Sequence, residues 1–366
     1  MDERIKLNYV CFLNQSGYSQ AARDIITSLD STNLYDIRLR IFGERPSRSA
    51  ISDSKYEMFM QMKKRVKTSD MISVYHCIPT LQRREKNTEK NIGFATFETY
   101  SPPEKWISIL NQNDAIVVPS KFNYKIFAHT SVKKPLFYIP HSVNIDLYNA
   151  NIKKLNDHNL FTFLFMGTWK KRKGYEQLIE AWLSEFTDKD GVQLVIKTDR
   201  PKKAEEYVNT VVKQMGINKG FAPIIFENKV FDERILPRFI KSADCLVSPT
   251  LGEGFGYPGL QSMALGVPVI ITNFSGCQDY ANEDTATLLE PSGYILHKNM
   301  DGIPQFRNKK WAFVEVRNIR RSMRHVINNP SEIKKKADVA YEYVMERFTH
   351  SVVHDLFTQM VKELYG

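Results

Sequence analysis

The stretch that most constrains this chain runs from residue 243 to 279, ADCLVSPTLGEGFGYPGLQSMALGVPVIITNFSGCQD. Residues 244–248 form a short apolar run of the kind that makes a buried strand, and PTLGEGFGYPG follows with four glycines and two prolines, which break both helix and sheet. A helix is predicted from Tyr257 or Pro258, because proline suits a first helical turn where its missing N–H has no partner. Gly266 and Pro268 stop it, and residues 269–271 begin another buried strand. The unit is therefore strand, loop, helix, strand, and it demands an α/β fold with a parallel sheet.

Such a loop places free backbone N–H groups and the positive end of a helix at the carboxyl edge of the sheet, where anions bind. Glycines 254, 256 and 259 let a ligand approach the main chain, Glu253 stands at the mouth, and Gln261 lies about two helical turns beyond it. Glu253-Gly254-Phe255-Gly256-Tyr257-Pro258-Gly259-Leu260-Gln261, followed by SMALGVPVI, resembles the Glu-x7-Glu signature of the retaining glycosyltransferases of family 4 (glycosyl transferases group 1), with Gln261 in place of the second Glu. The resemblance implies the GT-B fold: two Rossmann-like domains facing across a cleft, a nucleotide-sugar held mainly by the second and an acceptor by the first. By the same resemblance Glu253 contacts the transferred sugar, Gly254, Phe255, Gly256 and Tyr257 line the donor's phosphates, and Gln261 reads the ribose.

The chain has 366 residues, enough for two cores. No apolar run reaches membrane-spanning length and the N-terminus passes from charges straight into a strand pattern, so a cytoplasmic protein is expected. Four dispersed cysteines suit buried thiols better than disulfides or a metal site. The net charge of +10 favours an anionic partner, and it is shared: residues 1–150 carry 21 Lys+Arg against 15 Asp+Glu. With no helix-turn-helix, zinc or RNA-binding signature, no nucleic-acid partner is expected.

In the first half, strands are predicted at 6–13, 36–41, 71–75, 91–96, 114–119 and 136–140, with helices at 19–29 and, capped by Ser120, at 121–127. Gly17 and Tyr18 occupy the first strand-to-helix loop, His76 ends the third strand, and Glu98 follows the fourth. The resemblance assigns Gly17 and Tyr18 to the donor's phosphates or the acceptor and His76 to the cleft; Glu98 stands on the acceptor side where relatives have a His-Asp pair. The basic segment 61–68, beside Met58, Met60 and Met62, fits either a solvated helix face or peripheral contact with an anionic membrane.

Residues 145–159 read as a linker, and the expected domains are 1–152 and 153–348, with 349–366 a helix packing back on the first. After a strand at 161–166 comes Gly167-Thr168-Trp169-Lys170-Lys171-Arg172-Lys173-Gly174. Consecutive cations before a helix are costly unless solvated or facing an anion. By resemblance Lys173 neutralises the departing diphosphate, Gly167 and Thr168 adjoin it, and Lys170, Lys171 or Arg172 supplies the guanidinium-like charge missing at Thr168. Lys197 ends the strand at 192–197, and Val230 lies in the loop that holds the base in relatives. Residues 311–328 and 331–343 read as helices.

The expected activity is retaining glycosyl transfer from a nucleotide-sugar, UDP- or GDP-linked, to a glycan or lipid-linked acceptor, without metal or cofactor. A non-catalytic nucleotide-sugar-binding protein and a GT-B epimerase are the alternatives.

Overall fold

The computed structural model describes residues 4–43, 48–218 and 220–365. Two six-stranded parallel sheets, each flanked by helices, make two Rossmann-like domains that face each other across a cleft. The first contains β1 (Ile5–Cys11), β2 (Tyr35–Ile41), β3 (Ile72–His76), β4 (Asn91–Phe94), β5 (Ala115–Val118) and β6 (Leu136–Tyr138), in the spatial order 2-1-3-4-5-6. The second contains β7 (Phe161–Met166), β8 (Val192–Lys197), β9 (Ile224–Glu227), β10 (Cys245–Ser248), β11 (Val269–Thr272) and β12 (Thr287–Leu289), in the order 9-8-7-10-11-12. Central strands such as FLF and LVI in the second sheet are apolar on both faces because helices cover both. Strand order reverses at β1/β3 in one sheet and at β7/β10 in the other, and ligands of open α/β sheets bind outside the strand ends at such switch points.

The helices that matter here are α1 (Gly17–Asp30), α2 (Asp53–Lys64), α3 (Glu104–Leu110), α4 (Lys121–Ala128), α5 (Tyr175–Glu185), α6 (Pro201–Gln214), α7 (Ile235–Lys241), α8 (Tyr257–Ala264), α9 (Val316–Asn328), α10 (Pro330–Arg347) and α11 (His350–Tyr365). Ser16 caps α1 and Ser120 caps α4, each accepting a backbone N–H three residues on. Helix α11 buries Val353, Phe357, Met360 and Val361 in the core of the first sheet, beside Ile25, Ile26 and Leu29 of α1.

Two expectations need correction. Residues 311–313, expected to open a helix over 311–328, are strand: β13 (Gly293–His297) and β14 (Lys309–Phe313) form an antiparallel hairpin, and the helix begins only at Val316. Trp311 is fully buried with Phe97, Trp106 and Phe306, so this hairpin from the second half is anchored in a core built largely from the first. Met62 is buried in the first core, and Met58 and Met60 pack against it, so the methionines of α2 do not form an outward apolar stripe beside Lys63 and Lys64. No helix among the described residues is long and apolar enough to cross a membrane. All four cysteines are free and buried.

Candidate active site

Both switch points open onto one interdomain cavity of about 670 Å³. Its floor on the second domain is made by the loops after β7 and β10. The β10 loop is tied down by Glu253 N–H donating to Ser275 Oγ at 2.8 Å and by Gly276 N–H donating to the Glu253 carbonyl at 3.0 Å. Gly256 then starts α8 at φ +94°, a conformation disfavoured for side-chain-bearing residues, and any Cβ there would lie 2.6 Å from the Tyr280 hydroxyl. The same hydroxyl donates to the Gly256 carbonyl at 2.6 Å. Gly254, Phe255, Gly256, Tyr257 and Gln261 all line the cavity, and the first turn of α8 points its N–H groups there.

The β7 loop makes a single 3-10 turn over Lys171–Lys173. The Arg172 carbonyl accepts from Leu251 N–H at 2.8 Å and from the Thr250 hydroxyl at 3.1 Å, which locks this turn to the β10 loop. Three residues per 3-10 turn send the cations in separate directions. Lys171 Nζ reaches Glu176 at 2.8 Å outside the cleft, Arg172 Nη1 reaches Glu98 Oε1 at 2.8 Å, and Lys173 Nζ donates to Glu253 Oε1 at 2.5 Å. Lys170 does not line the cavity, whereas Gly167, Thr168, Arg172 and Lys173 do; the extended backbone at Lys170, just before the turn, carries that side chain away.

Electrostatics at the floor are dominated by one cluster: Glu98, Glu253 and Asp301 against Arg172 and Lys173. Arg172 lies 4.0 Å from Glu253 and 3.7 Å from Asp301 in addition to Glu98. Burial alone would raise the Glu253 carboxyl, but Lys173 and Arg172 outweigh it and hold the group below the usual carboxylate range. Glu253 is therefore an anion, fit to accept hydrogen bonds and unfit to donate a proton. Glu98 goes the other way, since burial, with Glu253 and Asp301 beside it, outweighs Arg172 and Lys173 and lifts its carboxyl.

The remaining sequence-predicted residues fall into three situations. Gly17, Tyr18, Glu98, Lys197 and Val230 line the cavity; the Tyr18 hydroxyl donates to the Thr96 carbonyl at 3.3 Å, and Lys197 Nζ donates to the Lys229 carbonyl at 2.6 Å. Gln261 lines it too, but is 1% exposed and donates to the Tyr148 hydroxyl at 2.9 Å, so its side chain is held from behind. His76 is not at the surface of the cleft. It is buried, bonded through Nδ1 to the Tyr9 hydroxyl at 2.8 Å, stacked on Phe94 with centroids 4.1 Å apart, and overlain edge-on by Tyr18. Every residue of β3 is buried, the last included, so His76 stays in the interior before the loop turns out.

The histidine that does line the cavity is His141, just beyond β6, stacked on Tyr257 with centroids 4.9 Å apart. Tyr257 in turn donates to Asp24 Oδ2 of α1 at 2.8 Å, joining the domains. Arg23 and Gln20, on the polar face of α1 opposite Ala21, Ala22, Ile25 and Ile26, also border the cavity; their helical spacing was a signal that could have flagged them. Asp301 had none, because it arrives from the β13–β14 connection far along the chain. Among the described residues no group of three or more His, Cys, Asp or Glu is placed to hold a metal ion.

Comparison with known proteins agrees with this geometry. The family model described as Glycosyl transferases group 1 matches residues 161–296. An uncharacterized glycosyltransferase of Methanocaldococcus jannaschii is 25% identical over 194 residues, covering 52% of this chain and 43% of that protein. The chain spans about half the length of the curated relatives it matches. Sucrose-phosphate synthase from Thermosynechococcus elongatus superposes with a TM-score of 0.71 at 15% identity, over 99% of both chains. HepE of Anabaena, in complex with UDP and glucose, gives 0.69 at 10% identity, over 98% of this chain and 100% of that one. The second domain, over residues 161–296, thus matches the group 1 glycosyltransferase model, and the chain as a whole has the two-domain GT-B fold of the solved structures.

Proposed function

We propose that the chain moves a glycosyl group from a UDP- or GDP-linked sugar to a hydroxyl of a glycan or lipid-linked acceptor, with retention at the anomeric carbon. The observation that carries this is the Lys173–Glu253 pair at 2.5 Å, set between the β7 and β10 switch-point loops and beneath the N-terminus of α8. It offers adjacent cationic and anionic ends to a donor whose diphosphate and sugar need opposite partners. The diphosphate sits against Lys173, Arg172 and the N–H groups of Phe255 and Gly256, and the sugar hydroxyls against Glu253. Val230 and Lys197 border the base, Gln261 the ribose, and residues 1–152 present the acceptor through Tyr18, Glu98 and His141.

In the step itself the bond from the anomeric carbon to the diphosphate oxygen breaks with its electron pair on the diphosphate, and the acceptor oxygen bonds to the same face. The acceptor's proton passes to the departing phosphate oxygen. Lys173, Arg172 and the helix end stabilise the charge that accumulates there. The solved complexes of HepE with UDP and with UDP-glucose support a donor of this type by likeness of fold.

A thermal-shift panel of UDP-, GDP-, ADP- and dTDP-sugars, followed by release of nucleoside diphosphate in the presence of acceptor glycans, tests the proposal. One donor should raise the melting temperature, and Glu253→Gln should cut transfer about a hundredfold while keeping nucleoside diphosphate affinity. Binding without transfer or hydrolysis would favour a non-catalytic binder, and inversion of one sugar carbon without transfer an epimerase. No response to any donor sinks the assignment.

A further inference from the structure

Three carboxylates and two cations share the floor of the cleft, an excess of one negative charge before any ligand arrives. A diphosphate brings at least two more. The N–H groups at the start of α8 offset part of that charge, and binding gains further if a cation can leave its carboxylate and the carboxylate left behind can lose its charge.

The contacts show which pair can separate. Lys173 is engaged in a formed hydrogen bond to Glu253, and Asp301 Oδ1 accepts the Lys171 N–H at 2.8 Å. Arg172 Nη1 is 2.8 Å from Glu98 Oε1, yet neither Nη1 nor Nε meets any acceptor in hydrogen-bonding geometry, although both atoms are buried. Glu98 has no other ion pair or side-chain hydrogen bond among the described residues, and its backbone lies across the cleft on the loop after β4, against Gly252. The guanidinium is thus confined to the cleft by charge while its donors stay unsatisfied.

Resting on the donor assignment above, we propose that Glu98 is a positioning residue that holds Arg172 in reserve across the cleft, releases it to the donor's diphosphate, and takes up a proton as it does so. The groups facing Glu98 are Arg172 and Lys173 from the β7 loop, Glu253 from the β10 loop, Asp301 from the β13–β14 connection and Tyr18 from α1. With Arg172 turned to phosphate, Glu98 faces Glu253 and Asp301 in a buried site, which favours its neutral form. Protonated Glu98 then presents an O–H to the acceptor side, and the site returns to its resting charge when the nucleoside diphosphate leaves.

Calorimetry of UDP and GDP binding, at pH 6.5 and 8 and in two buffers of different ionisation enthalpy, reads both affinity and proton count. Wild type should take up more protons per nucleotide than E98Q, a comparison in which the nucleotide's own titration cancels. At pH 8, E98Q should bind the nucleotide about fivefold tighter, as expected when a competing anion is removed from one cation. Uridine or guanosine affinity should be the same in both. E98D, which keeps a carboxylate, should retain the proton uptake, and in an R172Q background E98Q should give no gain. A merely structural Glu98 would instead weaken binding in E98Q or leave the proton count unchanged, and either result overturns the inference while leaving the donor assignment standing. Failure of wild type to bind any of UDP, GDP and ADP overturns both.

Discussion

Lys173→Met separates the electrostatic role of this residue from its packing role. Methionine keeps the stem that lies 3.6 Å from the Cβ position of Gly167, but removes the ammonium 2.5 Å from Glu253 Oε1. The Glu253 side chain is 9% exposed and would be left with only Arg172, at 4.0 Å. Breaking a fully buried pair costs about 3–5 kcal/mol; the remaining guanidinium brings the expectation here to about 2–3 kcal/mol at pH 8. The pH dependence carries a sign. In wild type the Glu253 carboxyl is depressed, so its contribution to stability is present above the unfolded value and is lost as pH falls through the folded one. In the variant the loss of Lys173 shifts the balance toward burial and moves the folded carboxyl upward, so the penalty fades as pH falls. Urea unfolding at pH 8 and pH 5 should therefore show a larger deficit at pH 8. Lys173→Met/Glu253→Gln should recover most of it, having no buried charge to strand. Calorimetry should show nucleoside diphosphate affinity reduced by about 1.5–3 kcal/mol with nucleoside affinity unchanged. Equal deficits at the two pH values, or a double variant no more stable than the single, would refute the reasoning.

Three further outcomes follow from the same geometry. A Cβ on Gly254 would lie 2.1 Å from Thr96 Cγ2 in the opposite domain, so Gly254→Ala should lower activity and broaden the solution scattering envelope, and Thr96→Ser, which deletes that methyl, should restore both. Gln261→Glu places a carboxylate at a 1% exposed position against Tyr148; it should cost about 1–3 kcal/mol by urea unfolding at pH 8, and less at pH 5, because burial favours the protonated acid. Burial holds His76 neutral well below the usual histidine range and takes His141 down to about 4, while the unfolded imidazoles bind protons below about pH 6.5, so stability should fall as pH drops from there toward 4. His76→Phe should shrink that acid loss and keep transfer within about tenfold of wild type; a hundredfold loss without loss of fold would return His76 to the reaction.

What the sequence determined by itself was everything set by neighbours along the chain. Apolar runs such as FTFLFM and VQLVIK have the length and the aromatic and β-branched content of buried strands, Ser120 accepts the N–H three residues on whatever lies above it, and the 243–279 stretch folds as strand, loop and helix because its glycines and prolines allow little else. The switch-point rule then puts Glu253 and Lys173 at one edge. Tertiary structure decided which side chains face that edge. Lys171, Arg172 and Lys173 are adjacent in sequence, but a tight turn rotates each away from the last, so one meets Glu176, one Glu98 and one Glu253. His76 ends β3 and His141 follows β6, both at the carboxyl edge, yet only the second lines the cavity: Tyr18 covers the first, while the second stacks on Tyr257 in the cavity wall. Met58, Met60 and Met62 could have faced lipid or core, and the space beneath α2 chose the core. Residues 309–313 became a strand because residues 293–297 offered a partner edge and Trp311 found a buried site beside Trp106, contacts between segments too far apart in the chain for any local pattern to record.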